Sequence, residues 1–565
     1  MSRQFNKTGQ NIRRWACALP LVVLAAAIHA EPAMQRIQAT SDIAPEAASK
    51  AIAFDVFQAG SSAGSAVVKV LQDASAGLGH VPTTLAEVDQ WSDSLTNALR
   101  QGGFPVGQVL VTEPAWRAAQ QGQPLVFTAF PGRIHAIRVD NKSRVNEGRL
   151  QKLLGKALCE DEAIGSGCLL RTERLERATQ LLQDVPGVAI GGAPQFSPGT
   201  GTGDVDVLFT VEQRGKPLTG DVFIDNKGIE STGLYRLGIA GSANNYFGLG
   251  ENYALSLAVT DKKMWTGSLT GGIPVFHDGL RLTGGLTRQQ YVINSFGRVA
   301  GVANTAQAGL LYPLMRGLDS NVWIGGSYLH SRTTTDLFHG MANTHSTLNS
   351  LRFSLQANNG DRAQQLRTNI WSGELALTVG KRGSNETAYE LTRRDGNYAK
   401  LTGTAFGTYG LNNSGDLFLS GQANAQLASR NLDSSEKLGV GGPNAVRAYR
   451  ADEGSVDDGA VFNLGLYKRI PVATGHQVQF GIFSDFAIGR VNHNPWPFWE
   501  SSYVGIPNVS NRRILSGYGL SLDWLTPIGA TISASVSKAY GFSSTSWVDP
   551  GKKPLQYWLS VTWSK

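Results

Sequence analysis

The strongest constraint on the fold is an alternation of apolar and polar residues that recurs from about residue 216 to the C-terminus. In residues 516–525 the apolar face carries Tyr518, Leu520, Leu522 and Trp524. The same alternation is found in residues 252–260, 417–427 and 555–563. A period of two predicts β-strands with one apolar and one polar face, and this part of the chain lacks the helical spacing of apolar residues.

The length of this β-region separates two classes of protein. A soluble β-sandwich is the alternative, but about 350 residues is long for one. Aromatic residues at the strand ends are typical of a membrane barrel, and this length would supply roughly 14 to 18 strands. Turn residues separate the strands, for example at 277–279 and 412–415. The pattern therefore favours a transmembrane antiparallel β-barrel.

Composition agrees with a fold rich in turns. Glycine supplies 66 of 565 residues, or about 12 %, against a typical share of about 7 %. An all-helical protein is therefore disfavoured. After the first thirty residues there is no run of 18 apolar residues, so helical membrane spans are not expected.

Residues 1–30 combine a basic start, an apolar core and small residues before a cut near Ala30, which predicts a secretory signal peptide. Its four basic residues account for more than half of the net charge of +7, and the mature chain keeps only +3. This modest charge argues against a nucleic-acid partner. Residues 31–50 are interpreted as a linker or an N-terminal plug segment.

Two mixed segments precede the β-region, at 51–132 and 133–214. In each, the pattern predicts a strand, two helices and two further strands, and in the first segment these two strands cover residues 106–114 and 123–134. Thr84 and Glu87 have the spacing of a capping box at the start of one helix. Each segment is long enough for one small core, and the alternative is a single α+β domain.

Cys159 and Cys168 are the two cysteines that remain once the predicted signal peptide is removed. In an exported protein we expect them to form a disulfide. The alternative is two unpaired small hydrophobic side chains. No metal site is expected at this pair, because no histidine lies nearby at ligand spacing.

Two short motifs and one absent motif bear on enzymatic or ligand-binding function. Residues 60–64 match a nucleophile-elbow pattern, but a barrel lacks the parallel sheet that this motif needs, and we interpret them as a flexible turn. His330, His339 and His345 lie in a polar stretch interpreted as a surface loop, without metal-ligand spacing. No Walker motif occurs. We therefore expect no enzyme activity, cofactor, metal or nucleotide.

Two segments carry a resemblance to a known family. The opening of the β-region contains the spaced set Asp225, Asn226, Gly228, Thr232, Gly233 and Arg236. Farther along, residues 446–449 read Val-Arg-Ala-Tyr, where the family has Val-Arg-Gly-Tyr. With the two N-terminal segments, these motifs resemble the two-partner secretion transporters (TpsB), the hemolysin secretion/activation family. The resemblance covers essentially the whole mature chain.

This resemblance implies two periplasmic α+β POTRA (polypeptide-transport-associated) domains followed by a 16-stranded outer-membrane barrel at 215–565. Residues 439–459 would form a loop folded back into the barrel. The implied function is export of an unfolded exoprotein of adhesin or hemolysin type to the cell surface. Outer-membrane lipid and periplasmic chaperones are further expected partners. The alternatives are an outer-membrane protein assembly factor of the same superfamily and a passive porin.

The resemblance also implies a contact between the loop and the barrel wall. Arg447, flanked by Val446 and Tyr449, would pair with Asp485 in the wall motif Phe483-Ser484-Asp485. In this chain the glycine of that motif comes two places late, at Gly489. Independently of the family, period-two counting places Phe483 and Asp485 on one strand face, toward the lumen. The alternative is that Arg447 and Asp485 are unrelated surface groups.

Overall fold

A computed structural model of the protein describes residues 51–57, 61–160, 162–275, 278–294, 298–337, 342–360, 369–385, 392–500, 510–540 and 554–565. The predicted signal peptide, the segment 31–50, Gly60, His277 and His339 lie outside these ranges.

The first N-terminal unit is a three-stranded sheet covered by helices. Its elements are β1 (Ile52–Val56), α1 (Ser61–Ser75), α2 (Leu85–Gln101), β2 (Gln108–Leu110), α3 (Glu113–Gln120) and β3 (Leu125–Phe130). The strand order is β1-β3-β2. Thr84 and Glu87 form the capping box at the start of α2. Hydrogen bonds donated to the Glu87 carboxylate lower the pKa of Glu87 to about 2. The backbone N–H of Thr83 makes the largest contribution to this shift.

Helix α3 is a correction to the sequence-based prediction, which had a strand over residues 106–114. Only Gln108–Leu110 pair in the sheet. The side chain of Thr112 then accepts a hydrogen bond from Ala115 N, and Pro114 lies in the first turn. Both features favour a helix start over a longer strand.

The second unit has its own sheet and two helices. Its elements are β4 (Arg133–Lys142), α4 (Glu147–Cys159), α5 (Thr172–Gln183), β5 (Val188–Ile190), β6 (Gln195–Pro198) and β7 (Asp204–Gln213). Strand β7 is central, parallel to β4 and antiparallel to β5 and β6. Cys159 and Cys168 are joined as a disulfide. The two units have separate sheets and buried clusters, although Leu169 packs in the first cluster, so they are in contact.

Sixteen antiparallel strands close into a barrel, which confirms the predicted fold class. The first eight are β8 (Leu218–Asp225), β9 (Arg236–Asn244), β10 (Asn252–Thr260), β11 (Trp265–Pro274), β12 (Arg281–Asn294), β13 (Arg298–Arg316), β14 (Asn321–Leu337) and β15 (Ala342–Asn358). Next come β16 (Trp371–Ser384), β17 (Gly396–Gly410) and β18 (Leu417–Ala428). A loop contains the short pair β19 (Leu438–Gly439) and β20 (Ser455–Val456). The last are β21 (Asp458–Ala473), β22 (His476–Arg490), β23 (Arg512–Leu525), β24 (Ala530–Ala539) and β25 (Gln556–Ser564).

Alternation along the strands separates the two faces of the barrel wall. Leu520 on β23 and Leu559 on β25 are more than half exposed on the outer face. Gln426 on β18 and Asp485 on β22 are buried on the inner face. Outward apolar and inward polar side chains match a barrel surrounded by lipid. None of the helices in the described ranges is long and apolar enough to span a membrane.

A second correction concerns residues 327–337 and 342–345, which form strands where a surface loop was predicted. His330 lies on β14 and His345 on β15, and the two strands pair as far as Leu337 and Ala342. Strands β13 to β15 have 17 to 19 residues, whereas a membrane crossing takes about 9–11. Their ends therefore extend beyond the apolar band, where polar side chains meet water.

The two ends of the barrel differ. Only four residues separate β7 of the second N-terminal unit from β8 of the barrel. We call the end of the barrel at which β8 begins the domain end, and the opposite end the far end. Strands alternate in direction, so the connection between β18 and β21 leaves the wall at the far end. This connection, residues 429–457, is called the lumen loop below. The loop was predicted to cover residues 439–459, but it ends two residues earlier than predicted, because Asp458 and Gly459 already pair with β22.

We expect the mature protein to be heat-modifiable. A closed ladder of backbone hydrogen bonds has no open edge at which unfolding can begin, so detergent alone should leave the barrel folded. An unboiled sample should therefore migrate differently from a boiled one on a denaturing gel. Identical migration of the two samples would argue against a closed barrel.

Candidate functional site

The lumen loop turns back from the far end and packs against the inner wall. Leu438 and Gly439 pair with Val456 and Ser455, which makes the loop a narrow hairpin. The apolar side chains that it buries include Val440, Val446, Tyr449 and Val456. They contact the wall residues Val461, Ala487, Leu515 and Ala539. Apolar packing thus seats the loop on β21 to β24.

Arg447 and Asp485 join the loop to the wall. Arg447 Nε lies 2.8 Å from Asp485 Oδ2, and Arg447 Nη2 lies 2.7 Å from Asp485 Oδ1. The backbone N–H of Arg447 donates to Oδ2 at 3.0 Å. Asp485 has no exposed surface, and the Arg447 side chain is 16 % exposed. The bidentate geometry is the strong form of this ion pair.

Neighbouring side chains complete the hydrogen bonding of this pair. Asn463 Nδ2 donates to Asp485 Oδ1 at 2.8 Å and to the carbonyl of Ala445 at 2.7 Å. The carbonyl of Arg447 accepts hydrogen bonds from Ser537 Oγ and Trp558 Nε1, each at 2.8 Å. The contacts therefore involve β21, β22, β24 and β25.

The aromatic ring of Phe483 packs against the guanidinium group of Arg447. The guanidinium carbon of Arg447 lies 3.3 Å from the centre of the Phe483 ring, a cation–π contact. Gly519 leaves room for that ring, since a Cβ there would lie 2.5 Å from it. The inward placement of Phe483 and Asp485 agrees with the period-two count. The late Gly489 also makes room, because a Cβ there would lie 2.8 Å from the side chain of loop residue Val456.

Ala448, which stands where the family has glycine, is not among the residues with positive φ. Its methyl group fits against Gly517 on β23, where an added Cβ would lie only 2.5 Å from the Ala448 Cβ. Ala448 and Gly517 are thus a complementary pair of small residues at the loop–wall contact.

This pair gives a test of loop seating. Gly517→Ala should push the loop off the wall at a cost of about 1–3 kcal/mol, the usual range for overpacking. Ala448→Gly in the same chain should restore the fit, because it removes the clashing methyl group. Ion conductance of the purified protein in a planar bilayer should rise in Gly517→Ala and fall again in the double variant. Equal conductance in both would contradict the contact.

A second ion pair at the base of the loop was missed by the sequence analysis. Lys437 Nζ lies 3.1 Å from Asp457 Oδ1, and both side chains are almost fully buried. Asp457 also accepts hydrogen bonds from the backbone N–H groups of Leu432 and His493. Consecutive acids at 457 and 458, just before a strand, were the only available signal. The ion pair therefore joins the two arms of the loop at its base, and the hydrogen bond from His493 ties this base to the far end of the barrel.

The motif that opens the barrel lies at its seam, where β25 meets β8. Asp225 and Arg236 form a bidentate pair at 2.7 and 2.8 Å. Asn226 continues the ladder beyond its last paired residue: its Oδ1 accepts from Leu559 N at 2.8 Å, and its Nδ2 donates to the carbonyl of Tyr557 at 3.0 Å. Asn226 thus lengthens the seam by side-chain hydrogen bonds.

Glycines shape the turn that follows this seam. A Cβ at Gly228 would lie 2.0 Å from the carbonyl oxygen of Gly233, and Gly233 has φ +117°. Both positions therefore require glycine. Glu230, in the same turn, forms an ion pair with Arg450 of the lumen loop. The loop is in this way connected to both sides of the seam.

Below the loop, toward the domain end, the lumen contains a cavity of about 440 Å³. Lys227, Arg469 and Asp523 line it together with aromatic rings such as Phe406 and Trp558. Within the described ranges there is no group of three or more residues able to bind a metal. The cavity therefore presents both charged and aromatic side chains.

Ion pairs hold the second N-terminal unit against the barrel. Arg316, at the end of β13, binds the carboxylate of Asp184 with both contacts at 2.7 Å. Arg177 on α5 lies 2.9 Å from Asp278 in the turn after β11. The unit therefore contacts the domain end of the barrel next to the lumen.

Comparison with known proteins identifies the family. Heme/hemopexin transporter protein HuxB of Haemophilus influenzae (strain 86-028NP) is 22 % identical over 509 residues, which covers 85 % of this chain and 81 % of HuxB. CdiB from Escherichia coli has a TM-score of 0.71 at 16 % identity and covers 99 % of both chains. BamA from Haemophilus ducreyi lacking POTRA domains 1-3 has a TM-score of 0.52 at 14 % identity, covering 93 % of this chain and 100 % of that chain. Residues 203–497, more than half of the chain, match the family profile of haemolysin secretion/activation protein ShlB/FhaC/HecB. As the sequence motifs predict, the chain belongs to this family of two-partner secretion transporters.

Proposed function

We propose that this protein exports an unfolded exoprotein of adhesin or hemolysin type from the periplasm, through its barrel, to the cell surface. The observation that carries the proposal is the lumen loop, held inside the barrel by Arg447 and Asp485. The barrel strands pair with one another without this loop, so the loop can leave the lumen while the wall stays closed. A displaceable plug is useful to a channel that opens for a polypeptide.

The N-terminal units would receive the partner in the periplasm. In the first unit, β1 lies at one edge of the sheet and pairs only with β3 among the described strands. An unfolded chain can add to such an edge through backbone hydrogen bonds, which require little of its sequence. This mode of binding suits a long, β-prone exoprotein that must remain extended.

The chain would then pass from the units into the cavity below the loop. The ion pairs at Arg316 and Arg177 place the second unit beside the domain end, where that cavity lies. Leaving the wall requires the loop to break the Arg447–Asp485 pair, and both groups regain water in the open lumen. Folding of the partner outside the cell makes the passage one-way without nucleotide hydrolysis.

An outer-membrane assembly factor is the rival function, and the likeness to BamA concerns the fold alone. Two N-terminal units are described here, whereas the assembly role would be favoured by three or more. The name of HuxB, a transporter, supports export.

The two functions differ in what an export assay detects. The transporter should be expressed together with a large exoprotein encoded beside its gene, in cells that lack both. We expect the exoprotein in the medium only when the full-length transporter is present, with other outer-membrane proteins unchanged. Loss of other barrels from the membrane, without any effect on the exoprotein, would instead support the assembly role.

A further inference from the structure

Phe406 is an apolar residue that is exposed inside the barrel. On β17 the alternation places Leu401 and Tyr409 on the outer face and Phe406 on the inner face. Phe406 is 42 % exposed, whereas the inward rings of Phe418 and Trp558 are nearly buried. Apolar surface left in water is unfavourable, so this ring offers a site that a passing apolar group can cover.

Two cavities in the lumen meet at Phe406. The first is the cavity below the loop, of about 440 Å³, which Phe406 lines together with Pro443 and Arg447 of the loop. The second also measures about 440 Å³ and is lined by Phe406, Trp323 and polar residues such as Gln422. Because Phe406 lines both, the two cavities form one continuous recess along the inner wall, which we call the wall recess. Each cavity has a volume typical of a binding site.

The wall recess leads from the second N-terminal unit to the loop anchor. At one end, Arg316 binds Asp184 of that unit, and the guanidinium carbon of Arg316 lies 5.5 Å from the ring centre of Trp323. The strand order places Phe406 three strands from Trp323 on β14 and three strands from Asp485 on β22. At the usual spacing of strands, each interval is about 14 Å along the wall, which about four residues of an extended chain can span.

The lining of the wall recess fits both parts of a polypeptide. Gln422, the cross-strand neighbour of Phe406, carries a carboxamide that can donate to and accept from a peptide backbone. Toward the domain end, the rings of Phe418 and Tyr467 stack with their centres 5.5 Å apart, and the guanidinium carbon of Arg469 lies 4.4 Å from the centre of the Phe418 ring. Since Phe418 already packs against these two side chains, Phe406 is the aromatic ring open to an apolar side chain at this point.

We propose that the exoprotein crosses the barrel along the wall recess as an extended chain, and that its aromatic and aliphatic side chains pack on Phe406. This inference rests on the proposed export function and adds the residue that contacts the chain between the second unit and the lumen loop. A β-prone chain carries apolar side chains at every second position, so successive side chains can reach the same ring. A single ring contact is weak, so the chain can advance by releasing one side chain and taking up the next.

Peptide block of the ion current tests this contact in the full-length protein. In a planar bilayer, the Kd for block is measured for an unfolded peptide rich in glycine and serine that carries phenylalanines, and for the same peptide with serines in their place. Phe406→Ser should weaken block by the phenylalanine peptide about two- to tenfold, the range that one aromatic contact supports, and should leave block by the serine peptide unchanged. Phe406→Tyr should behave like the unaltered protein. Tyr409→Ser removes an outward ring from the same strand and is the matched control.

Equal effects of Phe406→Ser on the two peptides, or no effect on either, would overturn the inference, as would the same loss in Tyr409→Ser. Export of the exoprotein by the same variants in cells separates this inference from the proposed function. Normal export without a difference between the peptides would contradict the contact alone. Selective block that depends on Phe406, in a transporter that exports no exoprotein, would support the contact and contradict the export function. Heat-modifiability of each variant confirms that its barrel is folded.

Discussion

Replacing either Arg447 or Asp485 by alanine should abolish export while the barrel still assembles. Each change leaves the other charge buried and unpaired, at a cost of about 3–5 kcal/mol to the loop-inserted state. Asp485 is fully buried, so water cannot compensate for the loss of its partner. Within the described part of the chain, Asn463 alone would remain as a side-chain donor to Asp485 in Arg447→Ala. The wall itself should persist, because its ladder does not involve these side chains.

Charge reversal distinguishes a direct pair from two residues that matter independently. Arg447→Asp and Asp485→Arg should each lose export, since each places like charges together. The swap of both should recover part of the activity if the two side chains interact directly. Exported partner in the medium is measured at matched transporter levels, with heat-modifiability as the check on folding. A swap that is no better than the worse single reversal would contradict direct pairing.

Deletion of residues 51–213, with the segment 1–50 retained, should stop export as completely as loss of the anchor. The deletion removes both N-terminal sheets and hence the edge strands proposed to bind the partner. The barrel should still assemble, because the ion pairs made by Arg316 and Arg177 join the second unit to the barrel and do not hold the wall strands together. Export is measured from the medium, and barrel assembly by heat-modifiability.

A milder variant separates partner recognition from placement of the units. Asp184→Asn weakens the contact with Arg316 but keeps both sheets intact. We expect reduced rather than absent export, because the units still bind the partner but lie less firmly beside the lumen. Normal export by the full deletion would show that recognition of the partner lies in the barrel.

Local patterns were sufficient for the barrel and for the start of α2. Period-two alternation depends only on which side of a strand faces lipid, so Leu520 and Asp485 were assigned to the correct faces. The capping box at Thr84 is likewise encoded within four residues. The pairing of Arg447 with Asp485 could be predicted only from the resemblance to a family. In the structure, Arg447 Nη2 lies 2.7 Å from Asp485 Oδ1.

The parts that could not be predicted depend on contacts distant in sequence. Lys437 and Asp457 give no pattern, and their burial follows from the path of the lumen loop. The role of Asn226 requires the position of β25, more than 300 residues later. His330 was assigned to a loop because polar residues on a strand that extends into water resemble a loop. In each case the role of the residue depends on its position in the folded barrel, which the local sequence does not specify.

For the proposed export to occur, the lumen loop must move so that the partner can pass. Pro443 at the loop and Ser535 on β24 line the same cavity, so cysteines placed there can be joined by a short bifunctional maleimide that light can cleave. Cys159 and Cys168 are paired with each other and should not react. Export is measured before cross-linking, after it, and again after cleavage by light, with each single-cysteine variant as the control. We expect export to stop while the loop is tethered and to resume when the linker is cut. Export at the original rate with the tether in place would contradict it.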